Sequence, residues 1–175
     1  MSWTDHLVPT DSLIGYAKTL KSAVKQPVTF CENYVPWLEK LHGLADELDF
    51  ISIHTYPVWE YKDINEGLAY TIENYNAVAA AYPDKQIVIT EAGWATQSNG
   101  RGIEPSNVSE SFQKQYFQQL MDWAEQEQVL VYYFEAFDES WKGSDDPLEP
   151  EKHWGLYKTN RRPKQAMYRP LRRAV

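Results

Sequence analysis

Acidic and imidazole side chains recur in this sequence just after short apolar runs, each with an aromatic residue close behind. Cys31-Glu32-Asn33-Tyr34 ends the first run, and His54-Thr55-Tyr56-Pro57 the second, with Trp59 just beyond. Glu91-Ala92-Gly93-Trp94 ends the third. Glu135-Ala136-Phe137-Asp138-Glu139 ends the fourth, followed by Trp141 and Lys142. One polar residue after one run means little, because strands end in turns. The same chemistry after every run points to a shared rim. Carboxylates beside ring-stacking aromatics suit glycosyl transfer: one carboxylate attacks or orients water, another donates a proton, and both stabilise a positive oxocarbenium-like transition state. Trp and Tyr supply flat surfaces for the apolar faces of sugar rings.

Such a rim needs parallel strands whose C-terminal ends converge. The apolar runs at 27–31, 49–54, 86–90 and 129–134 read as buried strands. Helical spacing separates them. Thr10 caps a segment carrying Leu13, Ile14, Ala17, Leu20 and Val24; Trp37, Leu38, Leu41, Leu44 and Ala45 suggest a second helix. A third covers 64–81 with Leu68, Ile72, Tyr75 and Val78 on one face, a fourth covers 106–126, and a last short helix follows Arg162. Near-continuous apolar strands alternating with helices imply an α/β fold with parallel pairing. An open doubly wound sheet and part of a (β/α)8 barrel both fit; no strand is followed by the Gly-rich turn of a nucleotide-binding sheet.

The chain has 175 residues, one ordinary domain across 1–175 by length, whereas a complete barrel takes ~250. Its net charge of −8 argues against nucleic acid or an anionic membrane surface as partner. No apolar run approaches the ~20 residues that span a bilayer, and residues 1–6 lack the basic start and apolar core of a signal peptide. The lone Cys31 excludes an internal disulfide and reads as a small buried residue. Aromatics make up 14% of the chain, with seven Trp, which fits either a packed core or a sugar-stacking surface.

Several motifs in order resemble family 17 of the glycoside hydrolases, the β-1,3-glucanases. Ile89-Thr90-Glu91-Ala92-Gly93-Trp94 resembles the family's nucleophile motif, and His54-Thr55-Tyr56-Pro57 its Tyr-Pro motif. The stretch from Phe134 to Lys142 is similar to its last-strand motif, and His153-Trp154-Gly155-Leu156-Tyr157 to its closing segment. The resemblance runs from Asp11 to Pro163. It implies a retaining enzyme that cleaves or transfers β-glucan. Glu91 would be the nucleophile, Glu139 and Lys142 its supporting ion pair, and Tyr56 a hydrogen-bond partner of the nucleophile or the sugar. Trp94 and Trp59 would stack on sugar, with Trp141 and His54 beside them at the rim. Glu135 has no family counterpart and is held as a further site residue. Asp138 stands where the family has Asn.

The family's general acid is a Glu after an Asn at the end of the fourth barrel strand. Here the only Asn-Glu pair, Asn65-Glu66, falls inside a helix. Residues 1–5 would lie just downstream of the acid, so the resemblance implies strands five to eight, the C-terminal half of a (β/α)8 TIM barrel. Two open sheet edges and a bare inner face would invite a complementary N-terminal half or self-association. Glu32, on a neighbouring strand end, is an alternative acid. A metal site from His54, Glu91, Glu139 and His153 lacks any local ligand spacing, so neither metal nor cofactor is expected. Asp145-Asp146 reads as a solvated loop and Asn107-Val108-Ser109 as a glycosylation sequon. A β-glucan transglycosylase and a non-catalytic carbohydrate-binding half barrel remain as alternatives.

Overall fold

In the computed structural model, residues 7–168 are described. The expectations on residues 1–6, and the tail from residue 169, fall outside them. The elements run α1 (Thr10–Ala23), β1 (Cys31–Asn33), α2 (Tyr34–Glu39), α3 (His42–Ala45), β2 (Ile51–Thr55), α4 (Gly67–Ala81), β3 (Ile87–Ala92), α5 (Glu110–Glu127) and β4 (Val131–Tyr133). The four strands form one parallel sheet in the order β1-β2-β3-β4. The α/β alternation read from the sequence therefore holds.

The element ends moved. Thr10 is the first helical residue of α1, with Pro9 at the capping position. Residues 28–30 run beside the approach to β2, where Asp49 both donates to and accepts from the Val28 backbone, so ladder pairing starts only at Cys31. Glu32 and Glu91 thus lie within strands rather than after them. Cys31 is exposed, because β1 is an edge strand; the expectation of a buried cysteine is corrected. The last helix is only a 3-10 turn, Gln165–Met167.

Helix α4 is rotated from its expected face. Its buried residues are Gly67, Thr71, Asn74 and Val78. Two of these are polar and both are satisfied: Thr71 Oγ1 lies 2.7 Å from the Tyr116 hydroxyl, and Asn74 Nδ2 donates to Thr55 Oγ1 at 3.0 Å. Hydrogen bonding removes the cost of burying them, so Leu68 and Tyr75 are left to pack at the flanks.

One sheet face carries Ile51, Ile53, Ile87 and Ile89, packed into a core with Trp37, Val78, Tyr116 and Leu120. Each such aliphatic side chain contributes about 1.5–3 kcal/mol by leaving water. The opposite face is open among the described residues. Thr29, Phe50, Val88, Thr90, Leu130 and Tyr132 line a shallow groove of about 380 Å³, and Leu130 and Tyr132 are exposed. An open doubly wound sheet would cover both faces with helices; this sheet covers one.

Candidate active site

The first three strands deliver their ends to one place. An irregularity in the β2–β3 register skips Thr90: Ile53 pairs with Ile89, but His54 pairs with Glu91. That slip sets His54 beside the carboxylate. His54 Nδ1 lies 3.2 Å from Glu91 Oε2, and the Tyr56 hydroxyl donates to the same oxygen at 2.5 Å. Burial lowers the His54 pKa more than Glu91 and Glu32 raise it. The imidazole is therefore neutral near pH 7 and sits beside the carboxylate as a polar neighbour rather than as a charge. Burial, with Glu91 alongside, pushes the Tyr56 hydroxyl far above its ordinary value, so it remains a donor.

Glu91 lies at a cavity of about 310 Å³. Its polar lining includes Glu32, His54, Glu60 and Glu151; its walls include Tyr34, Tyr56, Trp59, Phe134 and Trp154. The rings brace one another. Tyr56 meets Trp154 edge-on at 5.1 Å and Phe134 at 5.7 Å, while Trp59 tilts against Trp154 at 6.1 Å. Asn33 places the first strand's contribution: its side chain caps α2 by accepting from Val35 N, turning the chain directly after Glu32.

Glu139, Lys142 and Glu135 form a second cluster. Lys142 Nζ is 2.7 Å from both Glu135 Oε2 and Glu139 Oε2, and 4.6 Å from the centre of the Phe134 ring that lines the cavity. The trio thus adjoins the cavity through Phe134, without lining it. Burial pushes the Glu135 carboxyl up to about 7, against the pull of Lys142, and its Oε1 is buried without a hydrogen-bond partner.

Two expectations need correction, Trp94 and Trp141. Trp94 is fully buried and cannot stack on a ligand. Gly67 on α4 leaves room for its six-membered ring, Tyr116 packs on it at 5.4 Å, and its Nε1 donates to Asn107 O. Trp141 is 74% exposed and outside the cavity wall, with its ring 5.8 Å from Lys142 Nζ. The sequon asparagine Asn107 uses its side-chain amide to bond Lys62 O at 2.6 Å, while Ser109 caps α5.

Asp138 gains a structural partner. Its Oδ1 accepts from Gly155 N at 3.0 Å and from Lys164 Nζ at 2.7 Å. Lys164 is almost fully buried and also donates to Thr96 Oγ1. A carboxylate where the resembling family has an amide is thus matched by a buried lysine. These groups line a separate cavity of about 490 Å³ that does not include Glu91 or the aromatic wall.

Glu60 and Glu151 were not singled out from the sequence. Both sit in Pro-initiated 3-10 turns, Pro57–Glu60 and Pro150–Lys152, rather than at strand ends. The available signals were adjacency to Trp59 and to the motif beginning at His153. Burial, the largest cause, raises the Glu151 carboxyl above its usual range, with Glu149 and Glu91 adding to it. Among the described residues, no group of three His, Cys, Asp or Glu is placed to hold a metal ion.

A family model described as the BtgE/BtgC glycoside hydrolase domain matches residues 3–155. A glucan 1,3-beta-glucosidase of Arthroderma benhamiae is 27% identical over 147 residues, 73% of this chain and 46% of that protein. The glycoside hydrolase family 17 β-1,3-glucanosyltransferase from Rhizomucor miehei superposes with a TM-score of 0.78 at 25% identity, covering 92% of this chain and 58% of that one. An endo-laminarinase from Formosa Hel1_33_131 has a TM-score of 0.87 at 21% identity, covering 96% of this chain and 54% of that one, and shares the fold. The chain spans about half the length of the curated relative it matches.

Proposed function

The chain belongs to the BtgE/BtgC glycoside hydrolase domain family, and from that premise we propose that it carries the nucleophile side of a retaining glycosidase acting on β-1,3-glucan. The observation that carries the reading is Glu91 at an aromatic-walled cavity, with Tyr56 donating to its Oε2 and the neutral His54 ring 3.2 Å from the same oxygen. The Tyr56 donor on one oxygen orients the carboxylate and leaves Oε1 for attack. In the proposed step a bond forms between Oε1 and the anomeric carbon, the bond to the leaving oxygen breaks, and water or a second sugar later releases the glycosyl group. Trp59 presents a ring face that suits a glucose unit, with Trp154 buried against it.

The departing oxygen needs a proton from an acid whose carboxyl lies ~5–5.5 Å from the nucleophile. We assign that acid to a polypeptide beyond these residues, in the position of the fourth strand of a (β/α)8 barrel, with this chain as strands five to eight. The open sheet face, the lack among the described residues of a strand beyond β1 or β4, and the coverage of 46% to 58% of related chains support that reading. It expects the chain to pair with a complementary half or with itself. Size-exclusion chromatography over a range of concentrations checks this; a strictly monomeric, cooperatively folding species counts against it.

An activated 2-fluoro-glucoside needs little help from an acid, so it tests the nucleophile alone. Mass spectrometry of the digested protein should find the label on Glu91. A label on another residue, or undiminished labelling in Glu91→Gln, overturns the assignment. The Rhizomucor likeness favours a second reading, glycosyl transfer to a sugar acceptor. Products longer than the starting oligosaccharide mean transfer; only shorter ones mean hydrolysis.

A further inference from the structure

The Trp59 ring packs against a neighbouring ring and against backbone. Trp154 tilts against it at 6.1 Å. Gly102, in the connection between β3 and α5, also abuts the ring: a Cβ built there falls 2.9 Å from Trp59 Cε3 and closer still to Cζ3. Gly102 has φ +75°, a left-handed conformation that disfavours any side chain. The segment cannot retreat easily. Ser98 Oγ donates to Ile103 O at 2.5 Å and accepts from Gly100 N, and Ile103 is buried. Two ties run to the segment after β4: Asn99 Nδ2 to Asp146 Oδ2 at 3.0 Å, and Arg101 Nη1 to Glu149 Oε2 at 3.5 Å. Glu149 is itself buried and bonded by Ser144.

We propose that Gly102 is a specificity-determining position: its bare backbone, pinned by the Ser98, Asn99 and Arg101 contacts, sets where the Trp59 indole stands and so the width of the sugar site that the indole lines. The inference rests on the sugar-binding reading of that cavity. A side chain at 102 meets a pinned segment on one side and a ring on the other. The ring yields, toward the cavity and Trp154. The ligand class is the apolar face of a β-linked pyranose, which stacks only where a flat gap of fixed width is kept. Trp59 begins in a different turn, so its own sequence neighbourhood does not set that width.

Gly102→Ala tests this against Gly100→Ala. Gly100 is also left-handed, at φ +90°, but an added Cβ there meets only Pro105 carbons at 4.0 Å. The two share backbone strain and differ in the clash. The probe is laminaritriose, and the second readout is the Trp59 indole N–H resonance, assigned through Trp59→Phe. Gly102→Ala should shift that resonance and weaken binding about tenfold, with Gly100→Ala leaving the resonance in place and affinity within about threefold. The contacted ring atoms are absent from phenylalanine, so adding Gly102→Ala to Trp59→Phe should cost no further affinity; that pair also serves if Gly102→Ala alone folds poorly. An unmoved resonance in Gly102→Ala, equal losses in both glycine variants, or a further loss in the double variant overturns the proposal. A wild-type chain that binds no oligosaccharide overturns the sugar-binding reading and the specificity role together, while the resonance still reports on the packing.

Discussion

Glu135→Gln keeps the shape of the side chain in the Lys142 cluster and removes one titrating group. The carboxyl ordinarily ionises near 4.5, and in the folded chain burial pushes it up to about 7 despite Lys142. Between those values the folded state holds a proton that the unfolded chain has released. The stability Glu135 contributes is therefore full below about pH 4.5 and lost as pH rises through 7. A difference of about 2.5 pKa units at ~1.4 kcal/mol each sets a ceiling of about 3.5 kcal/mol, which solvent screening of this partly exposed cluster reduces to about 2 kcal/mol. Glutamine has no such dependence. Urea unfolding of both proteins at pH 4.5 and pH 8 isolates the effect of the Glu135–Lys142–Glu139 cluster, because carboxylates away from it cancel in the difference. The variant should gain on the wild type by about 2 kcal/mol between the two pH values, or about 4–8 °C in Tm for a domain of this size. Parallel stability curves would refute the reasoning. A gap opening the other way would mean that attraction to Lys142 outweighs burial of Glu135.

Two further expectations concern groups that hold the site without lining its aromatic cavity. Asp138→Asn leaves Lys164 buried without its carboxylate, a change that costs about 3–5 kcal/mol for a broken buried pair. Burial already lowers the Lys164 pKa, so the loss should shrink as pH rises toward 10 and the lysine sheds its proton; a pH-independent loss counts against the ion-pair account. Trp94→Ala should cost about 3–5 kcal/mol as a core truncation. At a temperature where the variant remains folded, its affinity for oligosaccharide should match the wild type; a selective loss of binding with stability intact would restore Trp94 to the sugar site.

Much of the site was legible because it is local. Polar residues near the ends of parallel strands gather at a shared rim, so strand position marked Glu91, Glu32, His54 and Tyr56 as neighbours, and the family resemblance supplied the roles expected of Glu91 and Tyr56. The motif order from His54 to Tyr157 also carried the family, which the match over residues 3–155 bears out. Element ends were less certain, because ladder pairing depends on the neighbouring strand, as the delayed start of β1 shows.

What the tertiary structure decided lies between segments far apart in sequence. Trp94 reads as a rim aromatic next to Glu91, yet Gly67 makes a slot for it in α4 and Asn107 takes its N–H. Glu60 and Glu151 sit in short turns with no periodicity to mark them, and become site residues only where those turns meet at the cavity. Asp138 is a departure from the family motif until the chain returns with Lys164. Periodicity and strand position fix which way a residue points from its own element. Only packing fixes what stands opposite, and that is what separates a buried ring from a sugar platform.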